Sequence, residues 1–193
     1  MPHPDQMLEL KFCYDYRMSL FFITGIAGSG KSTVQHELKS RGYEAYDTDD
    51  DGFAKWHNNQ TDYIYPKSSV KKEDRTEEFL KIHSWKVPRA EVEELVSRAI
   101  NKTIFLCGVA SNEDELRDLF NAVFELIIDD ETLIHRLTTR TNNDWGKQPQ
   151  ELKKTLESQH NADKLYRKHN PILIDATQPV DIVVDNIIEK ANV

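Results

Sequence analysis

Short apolar runs alternate along the chain with stretches whose apolar residues recur at helical spacing. The run Ser19–Thr24, with Leu20-Phe21-Phe22-Ile23 inside it, predicts a buried strand. Val34 and Leu38 then give the next segment a helical stripe, which Gly42 ends. Glu44–Asp47 predicts a second strand that runs into Asp47-Thr48-Asp49-Asp50-Asp51. From 52 to 72 the chain is polar, with Trp56, Tyr63, Tyr65 and Pro66 scattered through it, and no element is predicted there. Val92, Leu95, Val96 and Ala99 predict a helix over about 89–100, and Thr103–Cys107 a third strand. Ser111-Asn112-Glu113-Asp114 fits a capping box and places a helix start there. A fourth strand is expected over 123–128 and a helix from Asp129 through Leu133, Ile134 and Leu137. A polar loop, 138–148, leads to Pro149, which opens a long helix to about residue 169, and 171–175 is the last strand. The final helix buries Val180, Val183, Val184, Ile187 and Ile188, an i, i+3, i+4, i+7, i+8 pattern. Strands alternating with helices predict an α/β fold: a three-layer sandwich whose parallel sheet of about five strands is covered by helices on both faces.

With 193 residues, the chain suits a single domain over 19–193. Residues 1–18 carry Asp5, Glu9 and Asp15 and no apolar stretch of signal-peptide length, and they read as a tail or an extra edge element. Lys and Arg number 25 against 33 Asp and Glu, a net charge of −8, which excludes an ordinary nucleic-acid binder because phosphate backbones need a basic surface. A small phosphorylated ligand needs only a local positive pocket. No run approaches the ~18 apolar residues of a membrane helix. Cys13 and Cys107 stand far apart and fit no metal or redox spacing, so a cytoplasmic protein is expected. No leftover apolar stripe indicates an oligomeric state.

The chemistry is concentrated where the first strand meets the first helix. Gly25-Ile26-Ala27-Gly28-Ser29-Gly30-Lys31-Ser32 matches G-x-x-x-x-G-K-[ST], the Walker A loop. Its glycines let backbone N–H groups curl around a phosphate, the following helix adds the positive end of its dipole, and Lys31 reaches the outer phosphates. Ser32 supplies a hydroxyl for Mg²⁺, and Gly25, Ala27, Gly28, Ser29, Gly30, Lys31, Ser32 and Thr33 form the expected nucleotide cradle. A GTPase would carry N-K-x-D, and Asn101-Lys102-Thr103-Ile104 lacks the aspartate. The third strand ends Leu106-Cys107-Gly108 with no Walker B carboxylate, so multi-module motor ATPases fit poorly.

Tyr46-Asp47-Thr48-Asp49, one helix after the loop, resembles the aspartate pair of shikimate kinases and related P-loop small-molecule kinases. The resemblance covers roughly 19–190 and includes Gly108, Ile128-Asp129, an arginine-bearing lid over about 139–148, and Leu165-Tyr166-Arg167. It implies ATP- and Mg²⁺-dependent transfer of the γ-phosphoryl group to a small molecule, with Asp47 and Ser32 serving the metal and Asp49 taking the acceptor proton. It also implies that Arg140, with Lys147 second, neutralises the transferring phosphoryl group, that Arg136 lies nearer the adenine, and that Pro179 closes the adenine slot. Pro179 is equally well placed as a helix-start proline.

The acceptor stays open at this point. The segment after the third strand reads Cys107-Gly108-Val109-Ala110 where shikimate kinases have three glycines, and Ala162 and Asp163 stand where that family places a substrate arginine. Arg89 falls near another expected arginine by rough spacing only. Trp56, Tyr63, Tyr65 and Trp85, within an acceptor-binding segment of about 50–88, suit either packing or the stacking of a base. A nucleoside or nucleoside monophosphate kinase is therefore one alternative, and a nucleotide-binding regulatory protein or slow NTPase another.

Overall fold

The computed structural model describes residues 19–141, 146–161 and 170–193. Residues 1–18, the centre of the expected lid at 142–145, and 162–169 with Leu165-Tyr166-Arg167 lie outside them. Five strands form one parallel sheet: β1 (Ser19–Thr24), β2 (Glu44–Asp47), β5 (Thr103–Cys107), β6 (Ala122–Ile127) and β7 (Ile172–Asp175), in the order β2-β5-β1-β6-β7. Seven α-helices are described: α1 (Lys31–Ser40), α2 (Glu77–Ile82), α3 (Arg89–Arg98), α4 (Glu113–Leu116), α5 (Asp130–Thr139), α6 (Pro149–His160) and α7 (Val180–Ala191).

Period-two alternation in β1 divides the core. Phe21 and Ile23 face one layer with Val34 and Leu38 of α1 and Val183, Val184 and Ile187 of α7. Leu20 and Phe22 face the other, with Val92 and Leu95 of α3 and Leu116 of α4. Both faces are covered, so β1 reads as a continuous apolar run rather than an alternating one. Cys107 is a buried thiol within the first layer.

After β1 the chain builds the sheet on one side, through β2 and β5, and then crosses to the other for β6 and β7. Such a reversal opens a crevice beyond the carboxyl ends of the central strands. Ile23 registers with Cys107, and Cys107 with Asp47, so the ends of β1, β5 and β2 arrive there level.

Two expectations are corrected. The polar segment after residue 52 contains β3 (Lys55–Asn58), which pairs antiparallel with β4 (His83–Lys86) to make a separate two-stranded sheet. The Ser111-Asn112-Glu113-Asp114 run starts α4 but forms no capping box. Asn112 instead grips β4's exit: its Oδ1 accepts from Val87 N at 3.1 Å and its Nδ2 donates to Val87 O at 2.9 Å. The Ser111 hydroxyl and backbone N–H both donate to Trp85 O at 2.9 Å.

Asn112 and Val87 are both buried, so Asn112→Ala strands a backbone donor and acceptor together. The expected cost is about 2 kcal/mol, seen as a lower urea midpoint at unchanged m-value. An unchanged midpoint contradicts this account of the turn.

Candidate active site

The crevice is a cleft of about 870 Å³ between the β1–α1 loop, the end of β2, the end of α5 and the turn before α7. Ala27 through Thr33, Asp47, Asp49, Arg136, Arg140 and Pro179 all line it. Gly25 lies behind the loop, where a Cβ would come within 2.8 Å of Leu126 O. Lys147 is exposed and is not among the lining residues.

The loop's conformation demands its glycines. Gly28 and Gly30 have φ of 88° and 104°, in the left-handed region that side chains avoid. Gly30 is the N-cap of α1, and no side chain caps that helix, so its first amides point at the cleft. Lys31 folds back across the loop, its Nζ donating to Gly25 O at 2.7 Å and Ile26 O at 2.9 Å. Desolvation lowers its pKa to about 8, against the opposing pull of Glu113, Asp49 and Asp47.

Asp47 is buried and organises the turn after β2. Its Oδ1 accepts from the backbone N–H groups of Asp49 at 2.8 Å and Asp50 at 3.1 Å. Its Oδ2 accepts from the Ser32 hydroxyl at 3.3 Å, which brings the two expected metal ligands together. Asp51 reaches back to accept from Asp47 N at 2.8 Å, closing the turn rather than capping a helix. Asp49 is exposed, and its Oδ1 accepts from the Trp85 indole N–H at 2.9 Å. Gly108 is required by contact: a Cβ there would lie 1.8 Å from Oγ1 of Thr48, the fully buried residue between the two aspartates.

The hydroxyl of Ser32 and the carboxylates of Asp47 and Asp49 are hard oxygen donors of the kind Mg²⁺ takes. Among the described residues no group of three or more His, Cys, Asp or Glu side chains is placed to hold a metal by itself. That donor set fits an ion that keeps waters and shares phosphate oxygens with a nucleotide.

Arg136 bridges two walls of the cleft, donating from Nη1 to Ser29 O at 3.1 Å and from Nη2 to Ala176 O at 2.8 Å. Burial lowers its pKa. Arg140 ends α5 at the cleft edge, and Pro179 is the N-cap of α7. Arg89 is elsewhere, engaged by Asp118 and Glu93. The aromatic rings pack against one another. Trp56 and Trp85 are cross-strand partners with ring centroids 5.2 Å apart, Trp56 also packs edge-on against Phe79, and Tyr63 and Tyr65 pair at 4.9 Å.

Glu113 was legible in the sequence only as a helix-start acid. Its Oε1 accepts from the Thr24 hydroxyl at 2.9 Å and from Ala110 N at 3.3 Å, at the strand end that leads into the phosphate loop. Burial pushes its pKa up to about 7, with Lys31 pulling the other way.

A carboxyl group whose pKa is raised on folding stabilises the protein below the unfolded value, and the benefit is lost as pH rises through the folded value. Glu113→Gln keeps an oxygen for Thr24 and cannot ionise. Its stability relative to wild type should therefore grow between the ordinary glutamate range near pH 4.5 and about pH 7, then level off. Urea midpoints of the two proteins across that range check this, and parallel profiles contradict it.

The fold is that of known P-loop kinases. A gluconokinase from Sinorhizobium meliloti 1021 matches with TM-score 0.52 and 20% identity, over 91% of this chain and 92% of that one. A shikimate kinase from Acinetobacter baumannii in complex with shikimate matches with TM-score 0.56 and 17% identity, over 92% and 95%. A deoxyadenosine kinase from M. mycoides with bound dATP matches with TM-score 0.50 and 17% identity, over 90% and 99%. No curated protein sequence matches the chain. The family model described as "AAA domain" matches residues 22–159, from β1 into α6, with the phosphate loop and both aspartates inside it. A cleft built on a Walker A loop at the end of the central strand accords with that match, and the chain belongs to the AAA domain family.

Proposed function

We propose that the protein is a small-molecule kinase that moves the γ-phosphoryl group of ATP, with Mg²⁺, to a hydroxyl or phosphate of a small acceptor. One observation carries this reading: a phosphate loop and a pair of aspartates, one buried and one exposed, line one cleft. A switch protein needs the loop and its metal ligands; an exposed carboxylate beyond the phosphates serves an acceptor.

Lys31 exchanges the carbonyls of Gly25 and Ile26 for phosphate oxygens, which bring the full negative charge its ammonium favours. Ser32 and Asp47 would hold the ion, which would neutralise charge on the outer phosphates. Asp47 is fixed by the amides it accepts, so it offers its other oxygen in a set direction. Asp49 orients the acceptor hydroxyl and takes its proton. Arg140 supplies positive charge from the opposite wall, and Arg136 braces the loop against the turn that leads to Pro179. Gly108 and Val109 line the same cleft as Asp49 and Asp50.

Lys31→Ala is expected to abolish transfer and to weaken nucleotide binding, as read by calorimetry with a non-hydrolysable ATP analogue. Asp49→Asn is expected to keep nucleotide affinity and to lower turnover by roughly 10²–10⁴-fold, the usual worth of a general base. The assay follows labelled ATP against a panel of hydroxylated acids, nucleosides and nucleoside monophosphates. Wild-type turnover in Asp49→Asn rules out the assigned base. ATP hydrolysis that no acceptor redirects favours the slow NTPase.

A further inference from the structure

The two-stranded sheet that the sequence did not reveal has one side chain reaching the site. Trp85 lies on β4, and its indole N–H meets Asp49 Oδ1 at 2.9 Å. Asp49 is exposed, in a turn whose backbone is fixed by Asp47. Besides the indole, a 3.3 Å bond from the neighbouring Thr48 hydroxyl reaches that same oxygen. An exposed aspartate side chain is otherwise free to rotate among its staggered wells. A donor on a separate element, bonded to a carboxylate, selects among those wells and leaves the second oxygen available.

The indole is itself held. Its backbone carbonyl takes two hydrogen bonds from Ser111, and Asn112 clasps Val87 two residues further on. The ring packs at 60° against Trp56, its cross-strand partner. Next to Asn112, Glu113 reaches Thr24 at the entrance to the phosphate loop. A single turn, Ser111 to Glu113, thus ties the strand carrying Trp85 to the strand end that carries the loop.

Resting on the kinase reading, we infer that Trp85 is a positioning residue for the acceptor step. Its indole N–H fixes the rotamer of Asp49, so that the free carboxylate oxygen faces the acceptor hydroxyl. The proton still goes to Asp49. Trp85 donates to the other oxygen throughout and neither gains nor loses a proton.

Trp85→Phe keeps a ring in the packing and removes the donor. With Mg-ATP and whichever acceptor of the panel is turned over fastest, it should lower kcat by about tenfold, the worth of one hydrogen bond to a charged group. The KM for ATP should not move. The same change made on top of Asp49→Asn should cost nothing more, because Trp85 acts only through that carboxylate. A loss of equal size in both backgrounds, or an unchanged kcat, overturns the proposal.

A readout independent of turnover guards against a folding defect. The chain has three tryptophans, and the indole ¹H–¹⁵N cross-peak absent from Trp85→Phe identifies Trp85. That peak should shift in Asp49→Asn. A peak that stays in place shows no bond to Asp49 and overturns the proposal whatever the kinetics. If wild type phosphorylates no acceptor of the panel, the kinase reading fails and this role with it. That failure is recognisable because no phosphorylated acceptor forms while the indole peak still reports the contact.

Discussion

A lysine ammonium short of water governs the rest of the site. Lys31 sits at the mouth of a helix whose first amides are uncapped, tied to two carbonyls of its own loop, with its pKa drawn down to about 8. Positive charge from the side chain and from the helix end is thereby gathered at one place. Such an arrangement costs stability unless anionic groups stand near it. The glycines that make the loop possible, the strand order that puts its mouth in a crevice, and the acids ranged around it all answer that requirement.

Three acids act on Lys31 from different surroundings. Glu113 bonds the Thr24 hydroxyl behind the loop, and burial pushes its pKa up to about 7. Asp47 stands beside Ser32, its charge shared among two backbone amides and a hydroxyl. Asp49 is exposed and lines the cleft. Much of the net charge of −8 that separates this chain from nucleic-acid binders is thus local equipment: further acids start α4 and α5, where helix dipoles favour them.

The sheet and the phosphate loop were legible because their signals are local. A buried parallel strand is an apolar run, and the Walker A spacing is eight consecutive residues in a strand–helix context. Asp47 and Asp49 were legible for the same reason, two residues apart at a strand end. The β3–β4 sheet was not, since each strand is four residues long and its partner lies some two dozen residues away with no tight turn between them. Trp56 and Trp85 become neighbours only once that pairing is made. Ser111-Asn112-Glu113-Asp114 satisfies the capping pattern, and tertiary structure spends the same side chains on β4 and on Thr24 instead. The bond from Trp85 to Asp49 combines both difficulties, because it joins a residue of a hidden strand to a residue of a visible motif.

Whether the cleft transfers a phosphoryl group to an acceptor is tested most directly by ³¹P NMR of the wild-type protein. With Mg-ATP and the panel of hydroxylated acids, nucleosides and monophosphates, one mixture should develop a new phosphoester or phosphoanhydride resonance in step with ADP. Inorganic phosphate as the sole phosphorus product beside ADP, in every mixture, would contradict the account of Asp49 and of the cleft as a kinase site.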